Sequence, residues 1–285
     1  MPSGTCPFGT GIVKNLMNTN TCLAILKRFR KENYDFMNNN DTPVILIIGG
    51  AGGIGSAVTR RLAQSCRLVI AGRNAERLQN IATETGAQAV VLDARDSTAL
   101  DAEFQSMLAT WGRLDGVVNC AGSVLLKPAH LITDQEFAET LSLNLTTAFN
   151  VVRAAARIMM RQPGGGSIVL CSSVAARRGL VNHEAIAAAK AGVEGLALAA
   201  AASYARYRVR VNCVAPGLTR TELTRSLTEN ENTAKISAAM HPLGRIGEPA
   251  EVASAICWLL NREQGWVTGQ VIGVDGGLGH IQARG

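Results

Sequence analysis

The chain has 285 residues, 47% of them hydrophobic and 4% aromatic, with a formal net charge of +6, which is enough apolar content for one substantial core. Its basic residues are scattered and its aromatics few, so neither a phosphate-tracking stripe nor a base-stacking platform is present, and nucleic-acid binding is not expected. The seven cysteines (Cys6, Cys22, Cys66, Cys120, Cys171, Cys213 and Cys257) are odd in number, far apart and without a Cys-x-x-Cys pair, so they read as reduced, mostly buried thiols and not as a disulfide framework or a metal site.

Residues 1–41 differ in character from the rest of the chain. Thr, Asn and Gly dominate up to Thr21, a mixed stretch ends in Lys27-Arg28-Phe29-Arg30-Lys31, and Asn38-Asn39-Asn40 precedes Asp41. A poorly ordered extension, or an upstream start with Met37 as the working initiator, is the main expectation. A short basic helix over 22–30 that touches a membrane or partner competes with it. No apolar run is expected to reach the roughly 20 residues that span a bilayer, and no leader with a cleavage site is expected. A cytoplasmic protein without a membrane partner is expected, with residues 42–285 forming one domain.

From Pro43 onward, short β-branched runs alternate with longer helical stretches. Val44–Ile48, Arg67–Ala71, Ala89–Leu92, Gly116–Asn119, Ser167–Ser172, Arg208–Val214 and Val271–Val274 read as buried strands. Helices are expected over 54–65, 75–85, 98–111, 134–161, 185–206 and 249–261. Near-continuous apolar strands alternating with helices specify an α/β fold, a doubly wound seven-stranded parallel sheet with helices on both faces. The crossovers are then right-handed.

The first strand runs into Gly49-Gly50-Ala51-Gly52-Gly53-Ile54-Gly55 and then a helix. Glycines there allow a tight turn and a close approach to a pyrophosphate, which a helix N-terminus stabilises through free N–H groups and its dipole. An acidic residue about 20 positions on usually binds the ribose 2′-hydroxyl of such a dinucleotide. Here the second strand ends Ala71-Gly72-Arg73. An arginine pairs with a 2′-phosphate, so NADP(H) is preferred and NAD(H) remains possible.

These features resemble the short-chain dehydrogenase/reductase family over residues 43–279, a Rossmann-type fold. Gly49, Gly53 and Gly55 match its Gly-x-x-x-Gly-x-Gly turn, with Gly52 and Ile54 between them and Ile48 in place of the usual preceding Thr. Asp93, followed by Ala94, matches the residue that contacts the adenine. Asn119-Cys120-Ala121-Gly122 is similar to the Asn-Asn-Ala-Gly motif beside the cofactor. Asn144, Ser173 and Lys190 match three members of the catalytic Asn-Ser-Tyr-Lys tetrad. Pro216-Gly217, Thr219 and Thr221 resemble the segment that closes over the nicotinamide, and Asp275-Gly276-Gly277 the C-terminal strand and turn.

The resemblance fails at the fourth tetrad member. The family's tyrosine lies thirteen residues after the serine and four before the lysine, and both spacings point to Ile186. An aliphatic side chain neither gives nor takes a proton. His183, seven residues before Lys190, has the spacing of the active tyrosine in enoyl reductases, a divergent branch, and imidazole titrates near neutrality. His183 as acid or base, His183 as a pocket wall or helix cap with Glu184, and solvent as proton source all stay open. Without the tyrosine, Lys190 can still bind the nicotinamide ribose, and Ser173 can either donate to a substrate oxygen or serve the backbone.

The resemblance also implies that the Ala-rich helix from Ala185 to Ala205 packs on its copy in a homodimer or homotetramer. The substrate is expected to be a small molecule, held largely by residues 218–245, where Arg220 and Arg225 hint at an anionic group and Thr224, Met240 and His241 are candidates to face it. Two functions compete: an oxidoreductase with altered proton handling, suited to a carbonyl or conjugated enone, and a catalytically silent NADP(H)-binding sensor or scaffold.

Overall fold

A computed structural model describes residues 42–282 of the protein. The chain divides into two units, residues 1–42 and 43–285, and nearly all described residues belong to the second. The expected extension, the alternative basic helix and the start at Met37 lie outside the described residues.

Seven parallel strands form one sheet in the order β3-β2-β1-β4-β5-β6-β7. They are β1 (Val44–Ile48), β2 (Arg67–Gly72), β3 (Gln88–Val91), β4 (Gly116–Asn119), β5 (Gly166–Cys171), β6 (Val209–Pro216) and β7 (Val271–Val274). The main helices are α1 (Gly53–Leu62), α2 (Ala75–Thr85), α3 (Ser97–Trp111), α4 (Asp134–Leu141), α5 (Thr147–Met159), α6 (Glu184–Tyr204), α7 (Glu231–Met240) and α8 (Pro249–Leu260). Every residue of β1 is buried, because alternate side chains enter two cores. Val44, Leu46 and Ile48 join the side built with α3, α5 and α6, while Ile45 and Ile47 join α1, α2 and α8. Strand order reverses between β1 and β4, and sheets of this kind bind ligands beyond the carboxyl ends at such a switch point.

Three expectations are corrected. The helix over 134–161 is broken by a π-helical segment, Ser142–Thr146, because the side chain of Asn144 turns inward to bond Thr140 and Ser123. Insertions of this kind lack a Gly or Pro signature and recur at functional sites. Residues 231–240, expected only as pocket-forming chain, form α7, capped by Asn230, whose Oδ1 accepts from Asn232 and Thr233 at 3.1 Å each. Finally, Glu184–Tyr207 is long and apolar enough to cross a membrane, contrary to the expectation that no run reaches that length. It packs on the sheet through Val193, Ala197, Ala200 and Ala201, and an alanine-rich face pressed onto a sheet accounts for its composition.

At the opposite end of the sheet from the glycine turn, Asp115 ties three elements together. It accepts from the Val44 N–H at 2.9 Å, from Arg113 at 2.7 and 2.8 Å and from Arg262 at 2.6 Å. Burial pushes its carboxyl up, but these hydrogen bonds prevail and hold it below the usual carboxylate range. A depressed carboxylate contributes stability above its unfolded pKa and loses it as the pH falls through the folded one. Asp115→Asn is therefore expected to cost about 1.5–3 kcal/mol at pH 7. In urea melts across pH, the gap to the unsubstituted protein should narrow below about pH 4; a gap independent of pH contradicts this.

Candidate active site

The turn after β1 is built by backbone geometry. Gly49 has φ +75°, and its N–H and that of Gly50 both donate to the Ala71 carbonyl, at 2.7 and 3.2 Å. A Cβ on Gly49 would lie 2.9 Å from the Ala121 nitrogen, and one on Gly55 only 2.1 Å from the Gly49 oxygen. The turn thus has room for hydrogen alone at these two positions, which lets the backbone close up and present the start of α1 to the cleft. Gly53 faces Thr221, whose methyl would sit 2.6 Å from an added Cβ.

A cleft of about 360 Å³ gathers Gly49, Gly52, Gly53, Ile54, Gly55, Arg73, Asp93, Ala94, Ala121, Gly122 and Thr221. These residues come from separate stretches of sequence, and all were expected at a cofactor. Asn119 lies beneath the wall, fully buried, and its Oδ1 accepts from the Ala121 N–H at 3.2 Å, so it shapes the turn from behind. Asp93 is gripped by Arg95, with Nη2 donating to Oδ2 at 2.6 Å and the backbone N–H to Oδ1 at 3.0 Å. The Arg95 side chain holds this carboxyl below the usual carboxylate range. Arg73 is exposed at the rim beside Arg77, a second cation that sequence reasoning misses because nothing in its spacing marks it.

The cleft continues into a cavity of about 410 Å³ that shares Ile54, Cys120, Ala121, Gly122, Thr221 and Leu223 with it. Here lie Asn144, Ser173, His183, Ile186, Lys190, Pro216, Gly217 and Thr219. Lys190 is buried and its Nζ donates to the Cys171 carbonyl at 2.8 Å. Burial pulls its pKa below that of an ordinary lysine. Ser173 accepts from the Ala175 N–H at 3.2 Å; a hydroxyl engaged this way still has its own proton to give. Ile186 is buried on the same wall.

Asn144 is satisfied within the protein. Its Nδ2 donates to the Thr140 carbonyl at 2.9 Å and to Ser123 Oγ at 3.0 Å, while its Oδ1 accepts from the Ser123 N–H at 3.2 Å. His183 occupies the N-cap position of α6 but makes no side-chain cap, which leaves out the helix-cap alternative. Its Nδ1 sits 2.8 Å from the Val181 carbonyl. A carbonyl only accepts, so Nδ1 carries the proton, and in the neutral ring Nε2 is left as a base.

Arg220 and Arg225 do not line the cavity. They pair with Glu248 and with Glu222 and Glu229, so the hinted anion site is corrected. His241 is buried, its Nε2 accepting from the Leu218 N–H at 3.2 Å and its Nδ1 donating to the Ser237 carbonyl at 2.7 Å. It braces the 217–219 segment. Thr224 and Met240 do reach the cavity, among an otherwise largely aliphatic lining that includes Leu126, Leu180, Leu218 and Leu227.

A family model described as enoyl-(acyl carrier protein) reductase matches residues 49–279. The 3-oxoacyl-acyl-carrier-protein reductase FabG of Thermotoga maritima is 37% identical over 243 residues, 82% of this chain and 97% of that protein. A short-chain type dehydrogenase/reductase from Mycobacterium ulcerans superposes with a TM-score of 0.80 at 33% identity, covering 85% of this chain and 91% of that one. An actinorhodin polyketide ketoreductase solved with NADPH gives 0.81 at 28% identity, over 86% and 100%.

Proposed function

From the premise that the chain belongs to the short-chain dehydrogenase/reductase family, we propose that it is an NADP(H)-dependent oxidoreductase of carbonyl or conjugated enone substrates that works without the family's tyrosine. The observation that carries this is the shared cavity wall of Ser173, Lys190 and Ile186, contiguous with a cleft formed on the glycine turn. The fit to a dinucleotide rests on Gly49 and Gly55, where side chains would fill the approach, and on Arg73 at the rim.

NADPH, when bound there, would supply the hydride. Around it, the residues divide the remaining work. Lys190, fixed by its bond to the Cys171 carbonyl, has further ammonium protons to offer the nicotinamide ribose. Ser173 donates its hydroxyl to the substrate oxygen. Ile186 excludes water and offers no proton. A ketone then lacks a proton donor at the moment hydride arrives. An enone would not need one, because protonation of its α-carbon need not coincide with reduction at the β-carbon. Deuterated NADPH with enone and ketone panels should leave label on the enone β-carbon. No transfer to any acceptor, with NADPH still bound tightly, would establish the silent binding protein instead.

His183 can serve as the acid only once Nε2 is protonated. If it does, His183→Gln lowers turnover on the enone; unchanged turnover assigns the proton to solvent. Arg73→Glu should weaken NADPH binding about 10- to 100-fold, the equivalent of one charge-assisted phosphate contact, and leave NADH almost untouched. Equal losses for both cofactors in calorimetric titration would contradict the 2′-phosphate role. The reading includes a cytoplasmic location and a homodimer or homotetramer through α6, whose Leu198 is 62% exposed.

A further inference from the structure

Cys120 and Cys171 are 51 positions apart in sequence, yet their sulfurs lie 3.4 Å from each other. Each follows a paired position on adjacent parallel strands, Asn119 opposite Leu170. Neighbouring strands run about 4.7–4.9 Å apart, inside the Cα separation that a disulfide tolerates. The sulfurs would have to close to about 2.05 Å, a small movement at the ends of strands where the chain leaves the sheet. Both residues line the cavity, and Cys120 lines the cofactor cleft as well, so a small oxidant has a path to them when the cleft is empty.

We propose that this pair is a reversible redox switch: a hydroperoxide converts Cys120 and Cys171 to a disulfide, which disables the cofactor cleft. The inference rests on the reading of that cleft as the NADP(H) site.

The two thiols are not equivalent. The hydrogen bond from Cys120 lowers the pKa of Cys171, with the nearby Lys190 ammonium acting in the same direction, and it raises Cys120. Of the two, Cys171 is drawn towards the thiolate and Cys120 away from it, and thiolates are the nucleophiles. Its sulfur attacks the peroxide, the O–O bond breaks, and the alkoxide leaves as alcohol on taking a proton, giving the Cys171 sulfenic acid. Cys120 then attacks that sulfur; the S–S bond forms, the S–O bond breaks, and the hydroxyl departs with the Cys120 proton as water. Two electrons pass from the thiols to the peroxide.

The consequence for the cleft is direct. Cys120 lies in the turn that abuts Gly49, and the Cys171 carbonyl anchors Lys190. Drawing the sulfurs together shifts both, and displacements of about 1 Å at such positions can cost about 100-fold in turnover.

The test uses the full chain, reduced and then freed of reductant. After hydrogen peroxide, peptide mapping under non-reducing conditions should find one Cys120–Cys171 cross-link, lighter than the separate peptides by two hydrogens. The cross-linked protein should lose NADP⁺ affinity at least about tenfold and regain it with dithiothreitol. NADP⁺ at about ten times its dissociation constant should slow cross-linking about tenfold. Cys171→Ser, which lacks the attacking sulfur, should remove the cross-link and the peroxide sensitivity together. Sulfinic acid at either cysteine without a cross-link overturns the proposal, as does a cross-linked protein that binds NADP⁺ like the reduced one. Failure of the reduced protein to bind NADP⁺ overturns the cofactor reading instead, while the mapping still reports on the thiol pair.

Discussion

Ile186→Tyr is expected to raise ketone reduction by about 10²- to 10⁴-fold, the usual contribution of a placed general acid. The residue is buried in the cavity wall with Ser173 and Lys190, so a phenol there points into open space shared with both. The Lys190 ammonium lowers the cost of the phenolate, and Ser173 orients the carbonyl. The larger ring costs some packing, about 1–3 kcal/mol if neighbours resist, which a thermal melt will register separately from turnover. A folded variant that binds NADPH but reduces no ketone would mean that Ser173 and Lys190 are not poised for the reaction.

The second large effect belongs to Gly55→Ala. An added methyl would lie 2.1 Å from the Gly49 oxygen and 2.8 Å from its carbonyl carbon. Both are backbone atoms, so neither can swing away, and the turn must open. NADPH affinity should fall by more than about 100-fold, and stability by about 1–3 kcal/mol. Gly164→Ala is the control, since an added Cβ there meets nothing within 4 Å, and its effect should stay within about 0.5 kcal/mol. Unchanged NADPH binding in the Gly55 variant would remove the glycine turn from the site.

Much of this arrangement is legible in the chain because it is encoded locally. Strand and helix periods alternate, and strand ends fall within a residue or two of their expected positions. The glycine turn announces itself between β1 and α1, and Arg73 follows from its place at the end of β2. Features built by contacts between distant residues are not legible. The approach of Cys120 to Cys171 depends on strand register across β4 and β5, which no spacing reveals. The ion pairs that occupy Arg220 and Arg225 come from Glu248 on one side and from their own helical turns on the other. The π segment at Asn144 is a response to side-chain bonding, and composition does not record it. The apolar length of α6 shows the reverse hazard, since alanines needed for close packing on a sheet look like those of a membrane span.

The most direct measurement is a crystal structure of the protein with NADP⁺ bound. The diphosphate should rest on the turn at 49–55, with Ile186 as the side chain of α6 nearest the nicotinamide ring and Lys190 bonded to the ribose. A phenolic hydroxyl in that place, or a diphosphate lodged away from the glycines, would contradict the assignment.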